Sequence, residues 1–167
     1  MSLRLCVLAA ETHMIKTFSL PIRVYYEDTD SGGVVYHSNY LNFMERARSE
    51  WLRALGFEQD ELLLSDGVLL AVSAVNIRFQ QAARFNELLE VTVAIDRCGA
   101  ASLGLLQEVR RAAEVLASAE VRIACIDKQR FVPVAIPERV AAKLAATYGV
   151  PPTPTRRLKR TTYKEPL

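Results

Sequence analysis

The sequence predicts an α+β fold in which one long helix packs on a curved antiparallel sheet. Two observations carry this. Residues Tyr40 to Leu55 place Leu41, Met44, Ala47, Trp51, Leu52 and Leu55 in one stripe at helical spacing. After Gly67 the texture changes to four long stretches of alternating apolar and polar residues, three of them joined by short links suited to hairpins. A single helix with a broad apolar face needs a sheet to cover it, so the strands should curl around it.

Taken in order, Pro21 to Tyr26 reads as a first strand, with Ile22, Val24 and Tyr26 alternating with Arg23 and Tyr25. A turn-rich stretch follows from Glu27 to Gly33. Ser38 and Asn39 are suitable N-caps for the long helix, and Gly56 is its stop. A shorter helix is expected over Gln59 to Leu64. The four alternating stretches, Val68–Gln80, Leu88–Arg97, Ser102–Arg111 and Val115–Asp127, are expected to form a meander. Pro137 then opens a helix to about Tyr148 from its first position, and Gly149 ends it.

Composition narrows the classes of function. Half of the 167 residues are apolar and 24% are charged, the balance of a folded globular chain rather than a disordered one. Three widely spaced cysteines, Cys6, Cys98 and Cys125, give no disulfide framework and read as reduced thiols of a cytoplasmic protein. With two histidines in all, no metal site is expected, nor any cofactor. No long uncharged apolar run suggests a membrane span. The net charge of +2 is unevenly placed: Arg156, Arg157, Lys159, Arg160 and Lys164 against Glu165 leave the tail at +4 and the other residues at −2. A nucleic-acid-binding domain should carry its basic patch on the fold, so nucleic acid is not an expected partner.

The domain organisation expected is an N-terminal extension over 1–19, one folded domain over 20–148 and a Pro-rich basic tail over 149–167. The apolar run Leu5 to Ala10 is too short for a signal peptide, and Met14 is an alternative start. The tail is expected to be extended, either solvated or in contact with an anionic partner.

The stretch from Tyr25 to Tyr40 holds the pattern Asp28-x-Asp30-x-x-Gly33-x-Val35, followed by Tyr36, His37 and a capped helix bearing Glu45-Arg46-Ala47-Arg48. With the four strands after it, this resembles the hotdog-fold acyl-CoA thioesterases of the hydroxybenzoyl-CoA thioesterase family, nearest its Tol-Pal-associated branch. The resemblance covers about Leu20 to Tyr148. It implies a hotdog fold, a homodimer or homotetramer with sites at subunit interfaces, and acyl-CoA as substrate. It also implies Asp30 as the catalytic carboxylate and the His37 backbone N–H as a donor to the thioester carbonyl. Gly33, Val35, Tyr36 and Arg84 are the expected substrate-binding residues.

The chemistry of these positions is coherent. A thioester needs a base or nucleophile, and a donor for the oxygen on which negative charge develops. A helix N-terminus supplies unpaired N–H groups, and Gly32 and Gly33 permit close backbone approach. Asp30 suits attack through an anhydride and activation of water equally. Arg48 lies inside the apolar stripe, where a charge is costly unless paired, and Glu45 three residues earlier is its expected partner in holding the Asp30 turn. The chain departs from the family at Gly99-Ala100-Ala101, where the hydroxybenzoyl-CoA enzymes carry basic residues; Arg84, Arg97 or the tail would then meet the CoA phosphates. Two other readings remain. One is a non-catalytic module near the cell envelope that binds acyl thioesters or acyl carrier protein, for which a carboxylate beside the thioester is not needed. The other is a hotdog dehydratase, which would usually set a histidine against an acid on the long helix, and Tyr40 to Leu55 has no histidine.

Overall fold

The computed structural model describes residues 16–149. The expectations for Leu5 to Ala10, Cys6, Met14 and the basic tail from Pro151 lie outside them. The element order is β1 (Thr17–Arg23), α1 (Asn39–Ala54), α2 (Gln59–Glu61, continued by a π-helical turn over Leu62–Asp66), β2 (Val68–Phe79), β3 (Leu88–Cys98), β4 (Ser102–Arg111), β5 (Glu114–Asp127) and α3 (Glu138–Tyr148). All five strands form one antiparallel sheet in the order β1-β3-β4-β5-β2. Register shifts at Val72/Ala74, Ile95/Arg97 and Val109/Arg110 bend it around α1. This is the hotdog arrangement of helix and curved sheet.

Several local expectations need correcting. The first strand runs over Thr17–Arg23, because these residues pair with Ala94–Leu88 of β3. Pro21 is tolerated there because β1 is an edge strand. Tyr25 and Tyr26 leave the sheet: the Asp28 carboxylate accepts the Tyr25 N–H at 2.8 Å and draws residues 26–28 into a 3₁₀ turn. The four long strands are not a simple meander. β3, β4 and β5 are, whereas β2 crosses to the far edge and pairs with β5. The connection Gln80–Glu87 therefore runs back across one end of the fold, where it meets the Glu27–His37 loop. Pro137 is the N-cap of α3 rather than its first residue.

The face that α1 buries is centred on Tyr40, Phe43, Met44, Ala47, Trp51 and Leu52. Leu41 lies about 100° from Tyr40 around the helix and is 39% exposed, so it stands at the rim of the stripe. The opposing side chains include Leu89, Val91, Val93, Leu103, Leu105 and Val109, all buried. The end of α3 is tied to α1 by the Trp51 indole N–H, which donates to the Tyr148 hydroxyl at 2.7 Å. Cys98 and Cys125 are free and buried.

Within this apolar layer sits one fully buried amide. Gln107 Nε2 donates to the Met44 carbonyl at 3.1 Å and the Thr92 carbonyl at 3.3 Å, while Oε1 accepts from Arg48 Nη1 at 2.7 Å. It joins α1, β3 and β4 through one side chain. Replacing it with leucine removes the three hydrogen bonds through which it joins Arg48, Met44 and Thr92. Gln107→Leu is expected to lower unfolding free energy by about 2–4 kcal/mol, read from urea denaturation midpoints. An unchanged midpoint would show that this amide is not a structural tie.

Candidate active site

The loop ahead of α1 is held by Asp28. Its side chain is buried and takes the Tyr25 N–H, and its carbonyl accepts the Tyr36 N–H at 2.9 Å and the Asn39 side-chain amide at 3.0 Å. Between these anchors the chain makes a tight hairpin. Asp30 N–H donates to Val34 O at 2.9 Å, Gly33 N–H to Asp30 O at 3.0 Å, and Thr29 pairs with Val35. Asp30 Oδ1 accepts the Gly32 N–H at 2.7 Å, so the carboxylate is oriented by its own turn. Gly33 has φ +72°, which favours glycine there. A Cβ on Gly32 would lie 3.0 Å from Asp30 Oδ1 and crowd that carboxylate.

The three acids of the loop thus have separate positions. Asp28 faces inward as an anchor, and Glu27 and Asp30 are exposed.

The start of α1 departs from the expected cap. Ser38 is already helical, at φ −70° and ψ −24°, and makes no side-chain cap. Asn39 uses its amide on Asp28, and its Oδ1 accepts from Asn42. Among the described residues the N–H groups of His37 and Ser38 meet no acceptor. Unpaired amides at the positive end of a sixteen-residue helix are donors that can receive a negatively charged atom.

The connection from β2 to β3 closes the other side of this helix end. Val35 N–H donates to Ala83 O at 2.9 Å, and Val34 pairs with Arg84. The Tyr40 hydroxyl accepts the Ala83 N–H at 2.9 Å and faces Gln81 O at 3.5 Å. Burial pushes the Tyr40 phenol above its ordinary value, while the Ala83 N–H pulls it down. The His37 ring packs on Tyr36 at 4.4 Å and edge-on to Phe79 at 6.5 Å. Val35, His37, Tyr40, Phe79 and Gln80–Ala82 line a shallow hollow of about 310 Å³ at this point.

Of the residues singled out from sequence, Asp30, Gly33, Val35, Tyr36 and His37 share one loop, with Val35 buried and the others exposed. Arg84 is brought to them through Val34; its N–H is held by Glu87, and its exposed side chain has no partner among the described residues. Glu45 and Arg48 lie elsewhere, on the second and third turns of α1, beside a second hollow of about 160 Å³. They do not meet: Glu45 accepts from Ser49 Oγ at 2.8 Å, and Arg48 donates to Gln107. Arg97 sits on the opposite face of the sheet with Asp96 and Arg122, around a hollow of about 580 Å³ away from the Asp30 turn. The Gly99–Ala101 turn is committed to backbone bonds, with Gly99 N–H on Ser102 O and the Ala100 and Ala101 carbonyls accepting from Ile136 and Cys125. Sequence reasoning missed Tyr40, Phe79 and the anchoring role of Asp28. Of these, only Tyr40 carried a signal, a phenol on the apolar face of a helix.

Residues 24–144 match the thioesterase-like superfamily. The chain belongs to that family. It is 43% identical over 125 residues to the acyl-CoA thioesterase YbgC of Haemophilus influenzae, covering 75% of this chain and 92% of that one. It is 39% identical over 127 residues to the acyl-CoA thioester hydrolase YbgC of an Escherichia coli strain, with 75% and 94% covered. Among solved structures, that of a probable thioesterase from Bartonella henselae superposes with a TM-score of 0.70 at 34% identity, over 73% of this chain and all of the other. The family relationship expected from the Asp28–Val35 pattern is thereby found. No helix among the described residues is long and apolar enough to cross a membrane.

Tyr40→Phe removes the acceptor for a buried N–H, and is expected to cost about 1–3 kcal/mol of stability by denaturant titration. Burial makes the folded protein hold the Tyr40 proton more tightly than the unfolded chain does, so the stability contributed by the buried neutral phenol is present below pH 10.0 and declines as pH rises further. The alkaline decline should be shallower in Tyr40→Phe; an identical slope would contradict the assignment.

Proposed function

We infer that the chain is an acyl-CoA thioester hydrolase that works through Asp30 and the N-terminus of α1. Water is added across the thioester, giving a carboxylic acid and the free thiol of CoA. Relatives matched over more than nine-tenths of their length carry this activity in their names. The observation that supports the site is the pairing of an exposed, turn-oriented carboxylate with unpaired amides at a helix N-terminus seven residues on.

In this reading the thioester carbonyl oxygen lies at the His37 N–H, which gains strength as charge develops on that oxygen. Asp30 on the other side of the carbonyl carbon either attacks it, forming an anhydride that water then opens, or takes the proton from an attacking water. Gly33, Val35 and Tyr36 line the approach. Arg84, exposed and without a partner among the described residues, would meet CoA phosphate. The nucleophile and base roles differ in one outcome. In heavy-oxygen water a single turnover through an anhydride that water opens at the Asp30 carbonyl leaves label in Asp30, whereas direct attack by water on the thioester leaves none, so label in Asp30 assigns the nucleophile role.

A second copy of the chain is proposed as partner. β2 is an edge strand of twelve residues with Val72, Val75 and Phe79 exposed, a surface that a second copy would cover. Acyl carrier protein is the alternative carrier of the thioester, and a cytoplasmic setting fits both carriers.

Asp30→Asn is expected to lower kcat by about 10²–10⁴-fold on acyl-CoA esters while the native mass and acyl-CoA binding are kept. His37→Ala, which keeps the backbone N–H, should lower it by less than about tenfold, because the contribution comes from the main chain. The measurement is thiol release across a panel of acyl-CoA esters. Tight binding with no release by the unaltered protein would instead support an acyl-thioester-binding adaptor.

A further inference from the structure

α1 packs over β1, β3 and β4, while β2, anchored on the core by Val68, Leu70 and Ile77, is exposed over residues 72–76 and at Phe79. At one end of this strand Phe79 stands against Tyr40 and His37, beside the unpaired amides. At the other, Leu70 and Val72 of β2 and Trp51 and Leu52 of α1 wall the hollow of about 160 Å³, which Glu45, Arg48, Ser49 and Gln59 also line. Both hollows border α1 and β2. Arg48 lies about 14 Å along the helix axis from Asn39, the first residue of α1.

Arg48 lines that hollow beside Glu45, Ser49 and Gln59, among otherwise apolar walls. Among the described residues its guanidinium has one hydrogen-bond partner, the neutral Gln107 amide, which in turn is fixed by two carbonyls. Burial pushes its pKa down, opposed only by the charge of Glu45, whose carboxylate is engaged by Ser49. A half-buried guanidinium with donors to spare, among apolar walls and beside a carboxylate already engaged by Ser49, can receive a planar anion.

We propose that Arg48 is a specificity-determining residue that reads the far end of the acyl group, favouring acyl chains that end in a carboxylate over those that end in a methyl. This rests on the thioesterase reading above. The thioester carbonyl would sit at His37, the methylenes would run between α1 and β2, and the terminal carboxylate would take the free guanidinium donors.

The test compares kcat/KM for octanoyl-CoA with suberoyl-CoA, and for decanoyl-CoA with sebacoyl-CoA, each pair matched in length. The unaltered protein should favour the carboxyl-ended ester by about tenfold or more, the worth of a charge-assisted hydrogen bond. Arg48→Met should erase or invert that ratio, and Arg48→Lys should retain part of it. A variant impaired only in folding would slow both members of a pair alike and leave the ratio where it was. Equal rates in the unaltered protein, or a ratio unmoved in Arg48→Met, would overturn the inference while leaving the hydrolase reading standing. No thiol release from any of the four esters would overturn the hydrolase reading, and this inference with it.

Discussion

The structure turns on a helix that begins without a cap. An α-helix leaves its first amides without intrahelical partners, and most helices satisfy some of them with the side chain of the N-cap residue. Here Ser38 makes no such bond, and Asn39 is turned away to the Asp28 carbonyl. The stability that a cap would contribute, about 0.5–2 kcal/mol, is forgone. The vacancy is held open because Asp28 fixes the loop at both ends, with its buried carboxylate on Tyr25 and its carbonyl on Tyr36. The result is a fixed positive end of a dipole facing solvent, with one oriented carboxylate nearby.

Everything else that matters to the site serves to place that helix end. The crossover that carries β2 to the far edge of the sheet sends Gln80–Glu87 back across the loop, and Tyr40 ties the two together through Ala83. Deeper in, Gln107 fixes α1 to β3 and β4 by bonding the Met44 carbonyl, so the helix cannot slide on the sheet without stranding polar groups. The same crossover leaves β2 exposed over residues 72–76 and at Phe79. Apolar surface on that scale at an edge strand is what an acyl chain or a second copy would cover.

Features set by local spacing were legible in the sequence. The long helix, the β3–β4–β5 hairpins and the Asp28–Val35 loop each follow from period, turn residues or motif, and the observed elements match them within a few residues. What was not legible depends on pairing between distant segments. Nothing local distinguishes β2 beside β5 from β2 beside β3. The strand at Thr17–Leu20 is revealed only by its partner β3. Arg48 was correctly flagged as a charge in an apolar stripe, but its partner lies fifty-nine residues away on β4 rather than one turn back at Glu45. For the site, the residue types of the loop were evident, whereas the unpaired amides and the anchoring role of Asp28 are properties of backbone geometry.

The most direct measurement is a crystal structure with a CoA analogue in which a methylene replaces the thioester sulfur, so that the ketone cannot be hydrolysed. The ketone oxygen is expected about 2.7–3.1 Å from the His37 N–H, with the Asp30 carboxylate on the opposite side of the carbonyl carbon. A ketone bound away from the start of α1, with the His37 amide turned to a water or another acceptor, would contradict this placement.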